Sequence, residues 1–71
     1  MENYLTEREL GVLDCLVQGY TNLEIANELH ISVHTVKAHL EAIYEKLDAV
    51  NRVQAAIKGV TLGLVDIKTM V

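Results

Sequence analysis

Thr21-Asn22-Leu23-Glu24-Ile25-Ala26-Asn27-Glu28-Leu29-His30-Ile31-Ser32-Val33-His34-Thr35-Val36-Lys37 is the stretch that decides the fold. Thr21 with Glu24 three residues later forms a capping box, in which each side chain satisfies a backbone N–H at the start of a helix. That helix runs to about Leu29 and turns Ile25, Ala26 and Leu29 inward. His30 and Ile31 make a tight turn, and Ser32 caps a second, longer helix that runs to about Leu47. A short helix, a three-residue joint and a longer helix form the helix-turn-helix arrangement. On spacing alone an ordinary helical hairpin fits as well.

Outward from this centre, the same punctuation recurs. Thr6-Glu7-Arg8-Glu9 opens a helix to about Gln18, with Gly19 as its C-terminal cap and Val12, Leu13, Leu16, Val17 and Tyr20 on its apolar face. Asn51-Arg52-Val53-Gln54 reads as a third box, opening a last helix whose Val53, Ala56, Ile57, Val60 and Leu64 keep helical spacing towards the core. No stretch alternates as a strand would, so the expected fold is all-α: a compact four-helix domain with a central helix-turn-helix built from its second and third helices. The 71 residues make one domain (1–71), with a core of about 5–64 and an apolar tail 65–71. The chain has no Pro, and its apolar stretches are far shorter than the roughly 18 to 20 residues that span a bilayer, so no membrane partner is expected. Its one cysteine suits a reducing cytosol, and a cytoplasmic location is expected. The balance of charge is unusual for a nucleic-acid binder: six Lys and Arg against ten Asp and Glu, a net of −4.

Leu5-Thr6-Glu7-Arg8-Glu9, Gly19-Tyr20-Thr21-Asn22-Leu23-Glu24-Ile25-Ala26 and Ile31-Ser32-Val33-His34-Thr35-Val36-Lys37-Ala38-His39 resemble successive blocks of the LuxR (FixJ, GerE) family of bacterial transcription regulators. Ile43, Lys46-Leu47 and Arg52-Val53-Gln54-Ala55-Ala56 continue the match in order and spacing. The resemblance implies sequence-specific binding of double-stranded DNA with the third helix in the major groove. It implies an output domain of a two-component or ligand-sensing regulator, or a stand-alone regulator, with RNA polymerase a further partner. Departures from the family pattern are Leu23 where many members are basic, Gly11 in mid-helix, Asp48 where a glycine is usual, and Glu41 at a groove-side position.

Along the third helix, Val36, Leu40, Ile43 and Leu47 form the core stripe. Base edges would then meet His34, Lys37, Ala38 and Glu41. Lys37 can donate to guanine, His34 to purine N7, Ala38 can touch a thymine methyl, and Glu41 can accept from cytosine N4 while repelling phosphate. Thr21, Asn22, Ser32, Thr35, His39, Lys46 and Arg52 are expected to face phosphates, the caps among them because helix N-termini attract anions. Thr6 and Arg8 are read as structural, Arg8 as partner to a nearby carboxylate. Lys37, Lys46 and Arg52 gather the positive charge around the third helix, and most of the acids lie elsewhere.

With Val53, Ala56, Ile57 and Val60 assigned to the core, Ala55, Gly59 and Leu62 are left on another side of the fourth helix. The resemblance makes that side a homodimer contact. Gly63 ends or relaxes the helix before the tail. No catalytic set, cofactor or metal site is expected: His30, His34 and His39 lack suitably placed carboxylates, and Cys15 is expected to point outward from the first helix. The competing reading is an acidic helical protein-interaction module that has lost DNA contact. Lys37, His34 and Thr35 favour DNA, and the acid balance favours a protein partner.

Overall fold

A computed structural model of the chain describes residues 5–67. Four helices follow in order: α1 (Glu7–Val17), α2 (Asn22–Leu29), α3 (Val33–Leu47) and α4 (Arg52–Thr61), with no strand among the described residues. The reciprocal capping boxes form at Thr6/Glu9 and at Thr21/Glu24. At α4 the box is only half made. Asn51 accepts from the Gln54 N–H, but the Gln54 side chain accepts from Val50 N–H, one residue before the cap. Gly19 (φ 91) and Gly63 (φ 75) close α1 and α4 with paired bonds, Tyr20 N–H to Cys15 and Gly19 N–H to Leu16 in the first, Leu64 N–H to Gly59 and Gly63 N–H to Val60 in the second. Asp48 takes the left-handed conformation (φ 55) at the end of α3, the position where the sequence resemblance implies a glycine.

Because α2, α3 and α4 all pack against α1, the first helix is buried over a wider arc than one apolar stripe. This corrects the expected facing of Cys15, which is buried beside Val12, Leu13 and Leu16 and does not point outward. It also buries Glu9, which Lys46 meets at 2.8 Å from the far end of α3. Ile25, Ala26, Val36, Leu40 and Ile43 join the core, as their spacing requires, together with Leu5, Ala49 and Ala55.

The fourth helix is turned the other way from expectation. Ala55 is fully buried and Gly59 is buried, while Val53 and Ile57 are 63% and 59% exposed. The expected dimer set therefore fails at Ala55 and Gly59, and Leu62 alone of the three is exposed. The reason is steric: a Cβ on Gly59 would come within 2.9 Å of Leu13 Cδ2, so α4 approaches α1 through its small residues and leaves Val53 and Ile57 outside, with Ala56 and Val60 half-buried between. After Gly63, Leu64 and Val65 fold back onto the core, and the Asp66 carbonyl accepts from Gln18 at 2.9 Å. Residues 68–71 of the expected tail lie outside the described residues.

Candidate nucleic-acid interface

The joint between α2 and α3 is three residues long. His30 adopts the left-handed conformation (φ 59, ψ 43), and the Ile31 N–H donates back to the Ala26 carbonyl at 3.0 Å. This conformation and this bond reverse the chain between α2 and α3. With Val36, Leu40 and Ile43 buried, the helical turn leaves His34, Lys37, Ala38 and Glu41 together on the exposed side of α3. Thr35 and His39 sit half-buried at its shoulder. The row expected to meet base edges is thus continuous and accessible along about two turns.

The two helix N-termini beside this row differ electrically. At α3 the Ser32 hydroxyl accepts from Thr35 N–H at 3.0 Å and donates to the Thr35 hydroxyl at 2.9 Å, and no acid lies in the first turn. Thr35 is therefore tied into the cap through both its N–H and its hydroxyl. At α2 the Glu24 carboxylate already accepts from the Thr21 N–H at 2.8 Å. An anion is drawn more strongly to the N-terminus of α3, since Glu24 offsets the dipole of α2.

The basic residues are mostly occupied within the fold. Arg8 donates to the Leu29 carbonyl at 3.3 Å, closing the C-terminal end of α2 instead of pairing with a carboxylate. Lys58 donates to the Asp48 carbonyl. Lys46 holds Glu9. Arg52 donates through Nη1 to Asn22 Oδ1 and through Nη2 to the Tyr20 carbonyl, each at 2.9 Å. Lys46, Arg52 and the Asn22 oxygen, all expected at phosphates, thus serve intramolecular contacts first. Among the described lysines and arginines Lys37 is the one that no such bond engages. Its exposed neighbour Glu41 lies one turn on.

The structural task of Arg52 was legible in principle. A cation in the first turn of a helix opposes the dipole, so an arginine at that position signals acceptors elsewhere. The exposed Val53 and Ile57 carried no comparable local signal. Among the described residues no group of three His, Cys, Asp or Glu side chains gathers to hold a metal ion, and no helix is long and apolar enough to cross a membrane.

The chain matches the family model of bacterial regulatory proteins of the luxR family over residues 3–58. It is 47% identical over 53 residues to the response regulator protein VraR of Staphylococcus aureus (strain NCTC 8325 / PS 47), covering 75% of this chain but 25% of VraR. The chain thus spans about a quarter of the length of that relative. Among solved structures it is similar to the transcription factor GerE, with a TM-score of 0.87 at 31% identity, covering 94% of this chain and all of GerE. It is also similar to the response regulator ChrA of a heme-sensing two-component system, with a TM-score of 0.84 at 39% identity over 90% of this chain and 32% of ChrA. With its capping boxes, its three-residue joint and this match over most of its length, the chain belongs to the LuxR family of bacterial regulatory proteins, of which it carries the helix-turn-helix DNA-binding domain.

Proposed function

We propose that the domain binds double-stranded DNA sequence-specifically, with α3 in the major groove and His34, Lys37, Ala38 and Glu41 at the base edges. Thr21, Ser32, Thr35 and His39 lie nearest the phosphates, and the α3 N-terminus adds its dipole there. The observation that carries this reading is the exposed α3 row with Lys37 free of intramolecular bonds. A lysine left unpaired in a domain that ties down its other described lysines and arginines is available to a ligand. The work of the domain is regulatory and not enzymatic.

The likeness to VraR and ChrA favours an output role in a two-component regulator, with contact to RNA polymerase as its downstream step. The outer face of α4, with Val53 and Ile57 exposed and Leu62 beyond them, is the homodimer contact in this reading. Two copies joined there would place two α3 helices on half-sites about one helical turn apart. Binding to mixed-sequence duplex DNA across a salt series tests the reading. Affinity that falls with a linear log–log slope supports it, because counterion release accompanies phosphate contact. Absence of binding at low salt would favour the acidic protein-interaction module instead.

A further inference from the structure

Arg52 is the first residue of α4, yet its side chain reaches back thirty positions to the joint between α1 and α2. Nη2 takes the Tyr20 carbonyl and Nη1 takes Asn22 Oδ1, so the guanidinium brackets Thr21, the N-cap of α2. The helices α2 and α4 do not otherwise pack against each other. The arginine is therefore a direct tie between the start of α4 and the start of α2. It also dictates which way the Asn22 amide lies. A guanidinium carries donors and no acceptor, so the amide must turn its oxygen to Arg52 and its NH₂ group away. Asn22 is half-buried at the first position of α2, and with its oxygen held by Arg52 its NH₂ is turned away from the guanidinium.

We propose that Arg52 is a positioning residue for DNA binding. It fixes the Asn22 amide with its NH₂ outward as a phosphate donor, and it couples the placement of α4 to that donor. The inference rests on the DNA-binding reading above. Its chemistry is specific to arginine: two nitrogens at fork spacing hold two acceptors at once, whereas a lysine ammonium keeps the charge but not the paired geometry. Arg52 thereby acts on DNA through Asn22 and without touching it.

The test compares the full 71-residue chain with Asn22→Ala, Arg52→Lys and the double variant, each checked for helical content and melting temperature. Binding to labelled mixed-sequence duplex DNA is measured at low salt, well below every melting transition. Asn22→Ala is expected to weaken binding about tenfold, the scale of one charge-assisted hydrogen bond. Arg52→Lys is expected to lose a similar factor with charge retained, and the double variant no more than either alone. Full affinity in folded Arg52→Lys would overturn the proposal, showing that charge or mere stability was its role. So would equal binding by Asn22→Ala, or multiplicative losses in the double variant. If the unmodified chain fails to bind DNA, the DNA-binding reading falls and this proposal with it. If the chain binds and only these variants disappoint, the positioning role alone is lost.

Discussion

Leu13 of α1 lies against the bare backbone of Gly59 in α4, so that a Cβ on Gly59 would stand 2.9 Å from Leu13 Cδ2 and 3.2 Å from Cδ1 and Cγ. Leu13 is fully buried and cannot swing out to solvent. Gly59→Ala should therefore destabilise by about 1 to 2 kcal/mol, the overpacking cost exceeding the helix propensity gained. Gly11 is the internal control. A Cβ there meets Leu29 methyls at an ordinary 3.9 Å, so Gly11→Ala should stabilise by about 0.5 to 1 kcal/mol. Thermal or urea unfolding of the two variants settles the matter, and like signs would contradict this packing.

The same packing predicts how α4 tolerates charge. Ala55→Arg should cost more than about 3 kcal/mol, because a charge would enter a site with no exposure. Val53→Glu, on the exposed side, should stay within about 0.5 kcal/mol of the parent. If α4 is the dimer contact, Val53→Glu should weaken binding to paired half-sites while leaving a single half-site unaffected. Equal loss on both duplexes would remove α4 from the dimer.

How far the sequence revealed these faces depended on what set them. The starts of all four helices were legible, since Thr6, Thr21, Ser32 and Asn51 cap locally and need no tertiary partner. The facing of α3 was legible because Val36, Leu40 and Ile43 are large and the opposite row is polar or small. On α4 the usual rule inverted: Val53 and Ile57 are large and outside, Ala55 and Gly59 small and inside. Close approach of α4 to α1, a tertiary property, chose the small residues for the contact. Cys15 was misplaced for a related reason, as a helix surrounded by three others has no free side at that position. The intramolecular duties of Lys46 and Arg52 span 37 and 30 residues of chain, beyond any local pattern.

The buried Glu9 makes stability depend on acid. Burial by itself would raise its pKa, but the hydrogen bonds from Lys46 and from the Thr6 backbone N–H, with the positive charge of Lys46 and of His39, outweigh it and hold the carboxyl below its ordinary 4.5. The folded state thus binds the Glu9 proton more weakly than the unfolded chain. Its contribution is complete above the unfolded value and is lost as pH falls through the lower folded one. Glu9→Gln can keep the return bond of the capping box but not the charge, and should cost about 1 to 2 kcal/mol at neutral pH. That deficit should shrink as pH drops below the ordinary 4.5 and on through the lower folded value. A gap between the two proteins that stays constant from neutral pH into acid would refute the assignment.

The charges of Lys37 and Glu41 should act on DNA with opposite sign. Both are exposed on the same side of α3, one turn apart, and Lys37 has no competing intramolecular partner among the described residues. If Lys37 reads a base, Lys37→Ala should remove about 1 to 3 kcal/mol of specific binding. Glu41 brings negative charge towards the duplex. Acting by repulsion, it should yield in Glu41→Lys a higher affinity for all sequences and a salt dependence steeper by about one phosphate contact. Acting as an acceptor from cytosine N4, it should instead yield in Glu41→Ala a relaxed preference at one base pair, with non-specific binding little changed. The acid excess of the chain favours repulsion, because a domain of net −4 already holds its other described lysines and arginines within the fold. Selection of bound sequences from a random duplex pool, repeated with each variant, separates the two outcomes. If neither substitution alters DNA affinity at low salt, α3 is not the reading helix, and the exposed row belongs to a protein partner.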